Sequence, residues 1–154
     1  MRVFPIGAGI ILLAGCTTSQ QDQPAELAVT LTGLQEVPGP GDPDGTGTAQ
    51  IRVTPGNGQL CWNLYVRQIA PATAAHVHRG AAGTAGPPVV TLTTPDAAGR
   101  SQGCAAIGQE LAREIAWRGY DFYVNVHNAE HPAGAVRGQL RGTVIRPLPR
   151  QRDR

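Results

Sequence analysis

The chain contains no lysine, so all thirteen of its basic residues are arginines. That reflects coding bias rather than function. The formal charge is only +2, and the arginines are scattered except at Arg146, Arg150, Arg152 and Arg154. A nucleic-acid binder concentrates positive charge with aromatic residues among it; without that pattern, nucleic acid is excluded as a partner. There is no Cys-x-x-Cys pair among the three cysteines, which removes thiol redox catalysis. No Ser-His-Asp set or comparable acid-base constellation can be assembled, so an enzyme is less expected than a binding or structural module. Finally, no apolar run is long enough to span a membrane as a helix.

What the chain does have begins at its N-terminus. Met1-Arg2 supplies a positive charge, residues 3–14 are almost entirely apolar or small, and the segment ends in Leu13-Ala14-Gly15-Cys16. A charged start, a short apolar stretch and small residues before a cut describe a signal peptide. A cysteine directly after the small pair resembles the lipobox of bacterial lipoproteins, in which that thiol is acylated and becomes the first mature residue. The expectation is therefore a signal peptide over 1–15 and a lipidated Cys16 with its tether over 16–25. An ordinary secretory leader with an incidental Cys16 is the alternative. The protein would sit in the bacterial cell envelope, anchored to a membrane by its lipid on the periplasmic side. Thr17-Thr18 lacks the aspartate that often retains such proteins at the inner membrane, which favours the outer one.

Assigning Cys16 to lipid leaves Cys61 and Cys104, both in strand-like segments. An oxidising compartment favours a disulfide between them; two buried free thiols are the alternative. A folded core of about 120 residues remains once leader, tether and the disordered basic tail at 147–154 are set aside, enough for one domain.

Glycine (20) and proline (13) cluster between short apolar runs, the punctuation of an all-β chain. Strands are expected over 27–32, 48–53, 60–66, 74–78, 89–93, 101–107, 120–127 and 135–144. Leu60, Trp62, Leu64 and Val66 fall on one face of theirs, since successive strand side chains point to opposite sides. Only 109–118 reads as helix, with Leu111 and Ile115 one turn apart and Gly119 as a stop. The fold class is all-β: an antiparallel Greek-key β-sandwich or barrel with one short helix.

All four histidines lie in or just beyond two segments, Ala75-His76-Val77-His78-Arg79-Gly80 and Tyr123-Val124-Asn125-Val126-His127-Asn128. Alternation puts Val77, Phe122, Val124 and Val126 on the core side and His76, His78, Tyr123, Asn125 and His127 on the other, where the imidazoles are expected on outward or edge-facing surfaces. If the two strands are neighbours, His76, His78 and His127 converge. Three imidazoles suit copper, with zinc as the alternative. His131, on a loop four residues further on, is a candidate fourth ligand. Ring nitrogens within about 4 Å of one another would support coordination, since metal bonds to them are near 2 Å. In a second reading the imidazoles hydrogen-bond to backbone or to one another, with Asn125 and Arg137 in a polar strand-to-strand network.

Leu31-Thr32-Gly33-Leu34-Gln35-Glu36-Val37-Pro38 followed by Gly45-Thr46-Gly47-Thr48-Ala49 resembles the opening of a CHRD domain, the module named after chordin. The likeness continues through residues 74–90, 123–128 and 132–140, and implies a CHRD domain over 26–146. Asn128, where the family often has threonine, and the polar Glu130-His131 depart from its pattern. The resemblance implies an exported protein without an assigned activity. More locally, His-Val-His on a strand with a distant histidine is similar to the copper ligands of copper/zinc superoxide dismutase, itself a Greek-key β-sandwich; His76 and His78 match its His-x-His pair and His127 its distant ligand. The zinc-loop residues of that enzyme have no counterpart. The expected functions are thus a copper- or zinc-binding module, an envelope structural or protein-interaction domain with an unidentified partner, and, less expected, a copper-dependent redox enzyme.

Overall fold

A computed structural model describes residues 22–144. The leader, Cys16 and the basic tail from 147 onward lie outside the described residues.

Nine strands form one antiparallel sheet: β1 (Ala25–Thr32), β2 (Thr46–Thr54), β3 (Gln59–Arg67), β4 (Ala72–Arg79), β5 (Pro88–Leu92), β6 (Arg100–Ala106), β7 (Phe122–Asn128), β8 (Val136–Gln139) and β9 (Arg141–Val144). Their order is β5-β4-β7-β8-β1-β2-β3-β6, with β9 also on β1. The two ends of that path, β5 and β6, adjoin, so the sheet curls into a nearly closed barrel. At the seam Ser101 Oγ donates to Thr93 O, and Trp62 Nε1 donates to Ser101 Oγ (3.0 Å). Placing β6 beside β3 and β7 beside β4 gives the connections of a Greek key.

Alternation fills the interior. Leu27 and Leu31 from β1, Ile51 and Val53 from β2, Leu60, Trp62, Leu64 and Val66 from β3, Val77 from β4, and Phe122, Val124 and Val126 from β7 are all buried. Closure is what lets every strand bury one face against the others without a second layer. The helix α1 (Gln109–Trp117) packs over the end where β1 begins and β2 finishes. Its buried stripe is Ala112, Ile115 and Ala116, with Leu111 only half-buried, one position round from the stripe expected of Leu111 and Ile115. No helix among the described residues is long and apolar enough to cross a membrane.

Cys61 and Cys104 face each other directly across β3 and β6 and are joined as a disulfide, Cα to Cα 4.0 Å. It closes a loop of 43 residues, worth about 4 kcal/mol in the chain-entropy treatment. The expected strand over 135–144 is two strands. β8 lies between β7 and β1, whereas β9 pairs with β1 alone, and the chain leaves β7 at Leu140, which is fully buried. The strand expected from residue 120 starts at Phe122, because Gly119–Asp121 forms a 3-10 turn.

Candidate metal centre

β4 and β7 are hydrogen-bonded neighbours, in a register that sets His76 opposite Asn125, His78 opposite Tyr123 and Ala74 opposite His127. Residues directly opposed across antiparallel strands share a face, so the three histidines, Tyr123 and Asn125 all stand outside the barrel. β8 extends the same face with Arg137 opposite Asn125 and Gln139 opposite Tyr123.

The imidazoles converge. Ring centroids lie 5.4 Å apart for His76 and His78, 5.3 Å for His76 and His127, and 5.9 Å for His78 and His127. One ring nitrogen from each lies within 4.8 Å of the others. Two nitrogens on one ion sit at most about 4 Å apart, so a spacing of up to 4.8 Å is wider than the one expected for coordination, and closing on an ion requires about 1 Å or more of side-chain adjustment.

Two of the rings have a fixed tautomer. His78 Nδ1–H donates to Gly86 O (2.8 Å) and His127 Nδ1–H donates to Pro132 O (3.1 Å). A carbonyl only accepts, so the proton must be on Nδ1 and the lone pair on Nε2. Those two Nε2 atoms, together with His76 Nδ1, are buried and have no hydrogen-bond partner. This is the arrangement by which backbone carbonyls orient metal-binding histidines. Gly86 is needed for it, since a Cβ there would collide with the Arg79 carbonyl.

Burial lowers the pKa of all three imidazoles. The neighbouring imidazoles lower that of His76 further. For His78 the Gly86 bond opposes the shift, while His127 and Arg137 add to it; for His127 the Pro132 bond opposes it. The neutral, lone-pair-bearing form is therefore favoured at each. Three neutral nitrogens with no carboxylate or thiolate in the group suit copper or zinc and not magnesium or calcium, which take oxygen ligands.

The surfaces expected to be open are instead covered. His78, Tyr123, Asn125, Arg137 and Gln139 are buried, and His76 and His127 are half-buried. The cause is the loop 80–87, which folds back over β7 and β8. Arg137 Nη2 donates to Ala81 O (3.0 Å) and Thr84 O (2.9 Å), Gln139 Nε2 donates to Gly80 O (2.8 Å), and Gly86 N donates to Tyr123 Oη (3.1 Å). Tyr123 joins the two halves: its ring stacks with His78 (4.9 Å) and carries the Arg137 guanidinium 3.4 Å from its centroid.

Glu36 also belongs here, although sequence reasoning gave it no role. It is buried in the segment after β1, accepts from Asn125 Nδ2 at 3.2 Å, and has its second carboxylate oxygen without a partner. Burial raises its pKa to about 7 against the opposing pull of Arg137, Asn125 and Val37 N–H. The signal that could have found it is the placement of an acid beside Leu34, Val37 and Pro38, between Gly33 and Gly39.

Among the described residues, His131 is not part of the histidine group. It lies in the turn after β7, where its N–H donates to Asn128 Oδ1 (2.7 Å) and its carbonyl accepts from Gly134 N–H (3.1 Å).

No curated protein and no solved structure matches the chain. The family model for the CHRD domain matches residues 27–140, an interval running from the third residue of β1 to Leu140 and holding all three converging histidines, the disulfide and the loops that cover the site. The chain belongs to the CHRD-domain family.

Proposed function

We propose that this is an exported, lipid-anchored CHRD-domain protein that binds one copper ion through His76 Nδ1, His78 Nε2 and His127 Nε2. The observation that carries the reading is the set of three buried, unpartnered nitrogens, two of them aimed by a carbonyl on the opposite ring nitrogen. Copper is preferred over zinc because nitrogen sites bind Cu²⁺ more tightly than Zn²⁺. Bound copper would supply a redox-capable, Lewis-acidic centre. The chain's own contribution is to hold three lone pairs in place and to cover them with the loop 80–87.

Export and anchoring rest on the leader and on Leu13-Ala14-Gly15-Cys16; in this reading the domain sits in the cell envelope, on the periplasmic side and by preference at the outer membrane. Labelling with a fatty acid, abolished by Cys16→Ser, is the outcome that supports this. Unlipidated protein released to the medium sinks it.

The copper reading is tested by electron paramagnetic resonance of Cu²⁺-loaded protein. Hyperfine structure from three imidazole nitrogens is expected, reduced on changing His127→Ala. A spectrum of oxygen ligands, unaltered by that change, rules it out. A copper-dependent redox enzyme needs in addition an open coordination position; turnover of superoxide or peroxide by the loaded protein, lost with His76→Ala, would establish it.

One observation favours a second reading. His78 and His127 already hydrogen-bond to Gly86 and Pro132, so they also latch two loops onto the barrel, as an envelope structural or protein-interaction domain would use them. In that case His78→Ala lowers the melting temperature by several degrees and no copper is bound.

A further inference from the structure

The barrel has a second outer face, and none of the described residues covers it. β1, β2, β3 and β6 pair in register, so their outward side chains line up in rows across the strands. One row is Ala28, Gln50, Asn63 and Gln102; the next is Thr30, Thr48, Tyr65 and Arg100. Arg141 on β9 lies opposite Ala28 and extends the first row. Together they floor an open trough of about 1110 Å³. Neighbouring strands lie about 4.8 Å apart, so the five strands from β9 to β6 give it a length of about 19 Å.

The chemistry of this floor is selective. Amides and hydroxyls are each both donor and acceptor, and they are regularly spaced and exposed. Tyr65 is the one large hydrophobic side chain exposed on these rows, at 43 %; its ring is a platform for stacking. Nothing here resembles the apolar, aromatic-rich core that anchors a protein partner. The two cations stand at opposite ends, Arg141 over β9 and Arg100 over β6, the latter 5.9 Å from the Tyr65 ring. The single acid on the rim, Asp96, is spent on its own turn, where its carboxylate accepts from Ala98 N and Arg100 N, both at 2.9 Å. Asp96 still keeps its charge at the Arg100 end, so the trough carries two cations against one acid, a small positive excess.

We propose that this trough binds an acidic polysaccharide, with Tyr65 stacking on a sugar ring, the amides of Gln50, Asn63 and Gln102 bonding its hydroxyls, and Arg100 and Arg141 pairing with carboxylates along the chain. The site is separate from the histidine group, so it stands whether or not copper is bound.

The test is affinity electrophoresis of the purified protein through gels containing polygalacturonate, with dextran as the neutral control. Polygalacturonate should retard the protein more than dextran does, and the difference should shrink as salt is added. Tyr65→Ala should weaken retention at least tenfold while melting with the wild type. Arg100→Ala with Arg141→Ala should abolish the preference for the acidic polymer, whereas Arg118→Gln, just past α1 and away from the trough, should leave it intact. Absence of retention overturns the proposal. So does retention that both trough variants keep, which would signal attraction to net charge alone, and so does a trough that captures a protein ligand in place of the polysaccharide.

Discussion

The outer faces of the two halves of this barrel obey the same alternation and meet opposite fates. On β4, β7 and β8 the outward residues His78, Tyr123, Asn125, Arg137 and Gln139 are buried; on β1, β2, β3 and β6 the outward residues Thr30, Gln50, Asn63, Tyr65 and Gln102 are exposed. The strands do not differ in kind. The loop 80–87 and Glu36 in the segment after β1 cover the first face, and no described residue covers the second. Period-two patterning therefore decides which side chains lie outside the barrel, and loops decide which of those are dry. Covering made a polar network and a cluster of neutral imidazoles; leaving bare made a hydrogen-bonding trough.

The largest expected effect is on the bare face, whose seam strand is stapled. Changing Cys61→Ala together with Cys104→Ala should cost roughly 4 kcal/mol of stability, measured by urea unfolding. A loss below about 1 kcal/mol would mean that the hydrogen bonds between β3 and β6 hold β6 in place without it.

On the covered face, Arg137→Ala leaves the Ala81 and Thr84 carbonyls without their donor and Glu36 without its nearest cation. A cost of about 3 kcal/mol is expected. The matched change on the bare face, Gln50→Ala, should cost less than about 0.5 kcal/mol. Equal costs would erase the distinction between the two faces.

Glu36 makes the covered face sensitive to pH. Its folded pKa of about 7 lies above its ordinary 4.5, so the folded state prefers the protonated acid. That preference is fully present below pH 4.5 and is lost as the pH rises through 7. The penalty at higher pH is about 3 kcal/mol, reduced to the extent that relaxation and water admit the charge. Glu36→Gln should therefore flatten the fall in melting temperature between pH 5 and pH 8. A variant with the same slope as the wild type would assign the pH dependence to other groups.

Much of this was legible in the sequence. The alternation of Phe122, Val124 and Val126 against Tyr123, Asn125 and His127 placed the last three outside the core, and the His-x-His on β4 placed His76 and His78 beside them. The two cysteines in strand segments paired as expected. What alternation could not show was the covering of those residues, because the loop that buries them has no periodicity and is held by backbone carbonyls, which every residue has. For the same reason Glu36 had no visible role: its importance comes from contact with Asn125, 89 positions away. The break at Leu140 was hidden because both β8 and β9 alternate in the same phase beside β1, and only the loss of β7 as a second neighbour separates them.

The central claim is that the three histidines on the covered face form one copper site. Its most direct measurement is copper per chain after equilibrium dialysis, by mass spectrometry, for the wild type and for the protein with His76→Ala and His78→Ala. One copper per wild-type chain, and none in a double variant that keeps the fold, is the expected result. Copper that stays bound after the double change, or a wild type that binds none, would contradict it.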